Sequence, residues 1–221
     1  MFAALLPNMT LANVTLTKED FARDKYVSRE TMHKLEIYAD LLIQNQKTLN
    51  LVAKNTLVDL WKRHMLDSLQ LIDHLPSSTQ SITDLGSGAG FPGLVLAIST
   101  GLPTRLVDSR QRKCVFLRHV IERTGAPAAV INGRIENLST ESKKKPVDII
   151  TARALAPLDR LCEMADSLDA RTCLFMKGVR WREELTKAQK HWTMTLQTFR
   201  SRTSHESRIL RISNLKPVQH V

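Results

Sequence analysis

The sequence predicts a mostly parallel α/β sheet, closed by a C-terminal antiparallel hairpin and preceded by a helical extension. Three observations carry this prediction. Short apolar runs alternate with helical patterns between residues 81 and 176, as in sheets built from strand–helix–strand units. The first of these runs ends directly in a cluster of glycines. The last two, Trp192 to Phe199 and Arg208 to Ser213, are joined by the polar stretch Arg200 to Ser207 with no helical pattern between them.

The N-terminal portion, residues 1–78, reads as the helical extension, and residues 79–221 as the sheet domain. Met1 to Leu16 is mildly apolar without a basic start, and is expected to be a lead-in. Thr17-Lys18-Glu19-Asp20 has capping-box character, with Asp in place of the usual Glu or Gln. It opens a pattern in which Phe21, Met32, Leu35, Tyr38 and Leu42 recur at helical spacing. A turn-like break is expected around Asn45 to Asn55. A second helix is expected from about Thr56 to His74, with Val58, Trp61, Met65, Leu69 and Ile72 on its apolar stripe. Pro76-Ser77-Ser78 ends it.

The sheet domain opens with a strand, Ser81 to Leu85, that runs into glycines. Pro92 to Ser99 is expected to be helical, with Gly101 just past its end. Thr104 to Asp108, Ala128 to Asn132, Val147 to Thr151 and Thr172 to Met176 read as strands. Arg112 to Arg123 and Leu155 to Leu168 read as helices between them. Lys143 to Lys145 with Pro146 read as a solvated loop.

The composition is that of an ordinary soluble globular protein, at 43% apolar and 24% charged over 221 residues. The three cysteines, Cys114, Cys162 and Cys173, are far apart and predict neither a disulfide framework nor a metal site. No stretch reaches the ~20 apolar residues of a membrane span, so a cytoplasmic address without membrane contact is expected. The net charge of +10 is a bias toward a polyanionic partner, nucleic acid being the commonest.

The glycine loop carries the chemistry. Asp84-Leu85-Gly86-Ser87-Gly88-Ala89-Gly90 contains an acid-x-Gly-x-Gly-x-Gly pattern, while Gly88, Gly90 and Gly93 also spell a dinucleotide fingerprint. Physical chemistry separates the two. A dinucleotide places its pyrophosphate on free N–H groups at a helix start, where Pro92 has removed one donor. Asp84 would also oppose a diphosphate. S-Adenosylmethionine carries an ammonium and a sulfonium instead of a phosphate, so a nearby carboxylate favours it. A methyltransferase using S-adenosylmethionine is therefore predicted, and a hairpin-closed sheet is how the Rossmann-like sheet of class I methyltransferases usually ends. Asp108, at the end of the second predicted strand, stands where an acid commonly binds ribose hydroxyls. Asp108 or Ser109 can equally cap the helix beginning near Gln111.

Further blocks then fall into one order. They are Arg63-His64 with Asp67-Ser68, the loop through Phe91-Pro92-Gly93, Asp108-Ser109 with Arg112-Lys113 and Phe116-Leu117-Arg118, Arg134-Ile135-Glu136, Arg153-Ala154 and Lys177-Gly178. Together they resemble the bacterial 16S rRNA (guanine-N7)-methyltransferase RsmG (GidB) family, over most of residues 47–213. The resemblance implies methyl transfer from S-adenosylmethionine to N7 of guanine 527 in 16S rRNA, in free rRNA or the small-subunit particle. It implies cofactor contacts from Gly86, Phe91, Ile135, Glu136 and Arg153, which join Asp84, Gly88, Gly90, Asp108 and Ser109 of the loop and the second strand end as the candidate cofactor site. The chain departs from the family at Asn45, Gln46, Val52 and Ile209.

Candidate contacts to RNA are Arg63, His64, Arg112, Lys113, Arg118, Lys177 and Arg180. Arg63 or His64 can instead form a helix-surface ion pair with Asp67, and the basic helix can be a solvated face. Guanine N7 presents its lone pair without deprotonation. No general base is therefore nominated, no metal is called for, and a donor to guanine O6 is expected from Arg153 or Lys177. The chain is expected to act as a monomer.

Overall fold

The computed structural model describes residues 17–138 and 147–219. The expected lead-in and the lysine run therefore lie outside the described residues. Thr17 caps helix α1 (Lys18–Phe21) with the reciprocal capping box that the sequence predicts. The helical pattern does not run on from there. Asp24 Oδ1 accepts from the Tyr26 amide, which turns the chain. Ser28 then caps α2 (Arg29–Leu49) afresh. α2 also runs past the expected break at Asn45. Asn45 bonds back to the Leu41 carbonyl, and the buried Gln46 amide both donates to and accepts from the Val52 backbone. The helix stops at Asn50, which takes a left-handed φ of 46°. Two family departures, Gln46 and Val52, thus close this turn on each other.

The second expected helix starts later and is composite. It begins as a π-helical segment (Trp61–Leu66), tightens into the short α3 (Asp67–Leu69) and ends as a 3-10 turn (Gln70–His74). The sheet then follows as β1 (Ile82–Leu85), α4 (Gly93–Thr100), β2 (Thr104–Asp108), α5 (Gln111–Thr124), β3 (Ala128–Asn132), a 3-10 turn (Ile135–Leu138) and β4 (Ile149–Arg153). It finishes with α6 (Leu158–Ser167), β5 (Thr172–Lys177), α7 (Trp181–Ala188), β6 (Trp192–Arg200) and β7 (Arg208–Pro217). β2 and β3 coincide with the prediction. β4 is shifted so that Arg153 is its last residue. α6 starts after Pro157, because the residue before a proline avoids the helical region. α7 was not predicted, although Trp181, Leu185 and Ala188 sit at helical spacing.

The seven strands are ordered β3-β2-β1-β4-β5-β7-β6. β1 to β5 pair in parallel, and β7 pairs antiparallel with both β5 and β6. The chain leaves β1 toward β2 and β3, then returns to lay β4 on the other side of β1. This reversal opens a crevice beyond the carboxyl ends of β1 and β4.

The extension packs into the same core as α4, α5 and β2, through Phe21, Leu35, Tyr38, Leu42 and Met65. Glycine allows a close approach of α4 to the sheet. A Cβ at Gly93 would lie 2.5 Å from Asp84 Cβ and 2.6 Å from Leu106 Cδ2, so α4 rests directly on the sheet. Ile209, another family departure, is buried with Ile82, Leu96 and Leu174. All three cysteines are buried free thiols, and burial pushes Cys162 up to about 12. No helix of the described residues is long and apolar enough to cross a membrane. No group of three or more His, Cys, Asp or Glu among them is placed to hold a metal ion.

Candidate functional site

Two cavities occupy the crevice, one on each side of the segment that follows β4. The first, of about 400 Å³, is built on the glycine loop. Gly86, Gly88 and Gly90 all take positive φ, at 66°, 59° and 107°. The loop is held by Asp108. Its Oδ2 accepts from the Gly88 amide at 2.8 Å, and its Oδ1 accepts from the Arg110 amide at 2.8 Å. Asp108 therefore belongs to the loop as well as to the cavity wall. The expected helix cap is corrected by the same bonds: Arg110 is the N-cap of α5 and makes no side-chain cap. Ser109, Lys113, Arg134, Ile135 and Glu136 complete the wall together with Val107. Lys113, expected at RNA, sits here beside Gly88. Desolvation first, then Arg110, lowers its pKa.

These residues suit S-adenosylmethionine. The side-chain-free loop admits a close ligand, Asp108 and Glu136 offer carboxylates to ribose hydroxyls, and Val107 and Ile135 offer apolar contact to a purine. Three expected cofactor residues lie behind the wall instead. Asp84 is fully buried and accepts from Thr151 Oγ1 at 2.7 Å. Burial pushes its carboxyl up to about 6, against the pull of Thr151 and Ser87. Gly90 abuts the Tyr38 hydroxyl, which donates to the Ala89 carbonyl at 2.6 Å. Phe91 is buried between Tyr38 and His64, with ring centroids 5.3 and 4.9 Å away.

The second cavity, of about 660 Å³, is assembled from five segments of the chain. The composite helix supplies Arg63, His64 and Asp67, β4 supplies Arg153, and the end of β5 supplies Met176 and Lys177. Thr56 and the hairpin residues Ser201, Ser207 and Arg208 close it. Arg153 organises the floor. Its guanidinium lies 5.1 Å from the Phe91 ring centroid. Nη1 donates to the Arg63 carbonyl at 3.0 Å and to Asp67 Oδ2 at 3.3 Å. Nη2 donates to His64 Nδ1 at 2.9 Å.

That last bond fixes the histidine. A nitrogen that accepts from a guanidinium carries no proton, so the other, Nε2, carries it and donates to Thr56 Oγ1 at 2.8 Å. Burial first, then Arg153 and Arg63, lowers the His64 pKa to about 3. The alternative reading, an ion pair of Asp67 with Arg63 or His64, is not what forms. Asp67 pairs with Arg153 instead, and its Oδ1 accepts from Thr203 and Gln70, which ties the hairpin loop to the extension.

Lys177, only 8% exposed, is also committed. Its Nζ meets Glu184 at 2.5 Å and donates to the Ala156 carbonyl at 2.9 Å. Arg63 and Arg180 are exposed on this wall and form no ion pair among the described residues. The structure does not bring Arg112 or Arg118 to either cavity; both are exposed on α5. Sequence reasoning missed Thr56, Ser201, Ser207 and Arg208. Only the polar character of the hairpin loop hinted at the last three.

The chain matches a family model, GidB, rRNA small subunit methyltransferase G, over residues 31–210. It is similar to the ribosomal RNA small subunit methyltransferase G of Gluconobacter oxydans (strain 621H), at 48% identity over 194 residues, 87% of this chain and 98% of that protein. It is similar to the protein of the same name from Rhodospirillum centenum, at 43% identity over 215 residues, 96% of this chain and 97% of that one. Among solved structures, an O-methyltransferase from Bacillus cereus in complex with SAH superposes with a TM-score of 0.56 at 12% identity, over 89% of this chain and 96% of that one. A mutant of MtNAS in complex with S-adenosylmethionine superposes with a TM-score of 0.53 at 13% identity, over 91% and 85%. These two likenesses show the fold.

Proposed function

The chain belongs to the rRNA small subunit methyltransferase G family, and from that premise we propose that it methylates N7 of guanine 527 in 16S rRNA. One observation carries the reading. A glycine-loop cavity with carboxylates and a cation-lined cavity meet side by side at the carboxyl edge of the sheet. The first suits the cofactor and the second an extruded base with its phosphates.

S-Adenosylmethionine supplies the methyl group as an electrophile on its sulfonium. The chain's own residues bind and orient. Gly86 and Gly88 would let the backbone approach the cofactor, and Asp108 and Glu136 would accept from its ribose hydroxyls. Arg153 and Lys177, already held by their partners, present donors to guanine O6 without a reordering cost. Arg63 and Arg180 contact phosphates. N7 attacks with its own lone pair, so no proton is removed. His64 fits that scheme, because both its ring nitrogens are committed.

The test is a map of 7-methylguanosine in small-subunit rRNA with and without this protein. Loss of the modification at guanine 527 alone is expected, and an unchanged map overturns the substrate. With a net charge of +10, RNA binding is also expected to weaken steeply with salt. Titration of affinity from low to moderate ionic strength checks that; a flat response contradicts it.

A further inference from the structure

We propose that Leu155 is a positioning residue for methyl transfer, forming the apolar partition between the two cavities. The proposal rests on the cavity assignments above. Ala154 and Leu155 are the two described residues that line both cavities, so a group handed across must pass this wall. Ala154 is exposed and takes a left-handed φ of 53°. That conformation is unfavourable for a residue with a Cβ. It reverses the chain just after Arg153, between the side chain on the acceptor floor and the one on the glycine loop.

Leu155 lies against Gly86. A Cβ built at Gly86 would sit 2.5 Å from Leu155 Cδ1, 3.1 Å from Cγ and 3.2 Å from Cδ2. The first glycine of the loop therefore provides a seat for this leucine as well as room for a ligand. Polar side chains stand on both sides, Arg153 and Lys177 on one and Asp108 and Glu136 on the other. Leu155 offers no hydrogen bond at the junction and excludes water from it.

In the transfer, the methyl–sulfur bond breaks with its electron pair returning to sulfur, while the N7 lone pair forms the new carbon–nitrogen bond. Reacting atoms in such a displacement must approach to about 3–3.5 Å in line. The side chain at the partition fixes how close and along which line the two occupants meet. It also sets which atoms can face each other, since a bulkier residue closes the path.

The experiment uses the full chain with small-subunit particles and three variants. Leu155→Ala is expected to lower kcat by about tenfold to a hundredfold with the KM for RNA within about threefold. Calorimetry should show its affinity for S-adenosylmethionine retained within a similar factor, which confirms a folded site. Leu155→Met should restore most of kcat. Leu155→Trp should report without turnover, its added emission responding separately to the cofactor and to RNA. Unchanged kcat in Leu155→Ala, or emission that responds to one ligand only, overturns the proposal. Asp108→Ala separates the levels of failure. If it leaves cofactor affinity intact, the cavity assignment is wrong; if it weakens the cofactor while Leu155→Ala is silent, only the partition is wrong.

Discussion

The cavity proposed for the cofactor and the cavity proposed for the acceptor base are neighbours built by different means. The first is organised by backbone, one glycine loop and the carboxylate that holds it, and side chains from nearby in the sequence complete its wall. The second is a network of side chains gathered from five segments of the chain. The first needs room and φ freedom, which a short stretch of sequence can encode. The second needs fixed charges, and fixing them takes partners from far along the chain. Arg153 shows this best: it touches Phe91, His64, Asp67 and the Arg63 carbonyl at once.

The largest effect should come from breaking that network. Arg153→Ala is expected to lower turnover by at least about a hundredfold, with cofactor affinity within about threefold. It should cost about 1–3 kcal/mol of stability, because His64 Nδ1 loses its donor and Asp67 a partner. Arg153→Lys should not rescue activity, since an ammonium cannot lie flat on Phe91 while serving three acceptors. Steady-state kinetics beside calorimetric titration of the cofactor decides it. A parallel loss of cofactor affinity would move Arg153 to the cofactor side, where the family resemblance places it.

The complementary experiment acts on the loop. Asp108→Ala removes the acceptor for both the Gly88 and Arg110 amides. Cofactor affinity is expected to weaken by about tenfold to a hundredfold, with RNA affinity at fixed salt unchanged. Equal losses in both would mean that the two cavities are not separable, and would remove the contrast.

The same contrast governs what could be read from the sequence. The glycine loop is contiguous, and three alternating glycines directly after an apolar run mark a turn where a ligand comes close to backbone. β2 and Asp108 followed from period and spacing. Asp84 was recognisable as part of the motif but not as a buried group. β1 is buried on both faces, so its alternation carries no signal about which way the carboxyl points. Asp67 misled for a different reason. His64 lies within one helical turn of it, whereas its true partner, Arg153, is 86 positions away. Ser201, Ser207 and Arg208 reach the second cavity because the hairpin loop docks on Asp67 and Gln70. No local pattern encodes that docking.

The smallest effect concerns two buried groups, Asp84 behind the first cavity and His64 in the wall of the second. Asp84 has its pKa raised from 3.8 to about 6, chiefly by burial. Between those values the folded protein holds the proton more tightly than the unfolded chain does. This contribution to stability is complete below 3.8 and is lost as pH rises toward 6. His64 has its pKa lowered from 6.5 to about 3, again chiefly by burial. Here the unfolded chain binds the proton better, so the contribution is present above 6.5 and is lost as pH falls. Each slope is at most about 1.4 kcal/mol per pH unit, and the two oppose each other across most of the same window. In the wild-type protein they largely offset. Asp84→Asn keeps the acceptor for Thr151 and removes one slope, so its stability should rise relative to wild type as pH goes from about 4 to about 6. His64→Gln keeps an acceptor for Arg153 and removes the other, so its stability should fall relative to wild type as pH rises over the same range. Urea unfolding of the three proteins across that range measures both differences. Identical slopes would show that neither group titrates as its burial requires; opposite slopes would show that burial shifts the two groups in opposite directions, Asp84 up and His64 down.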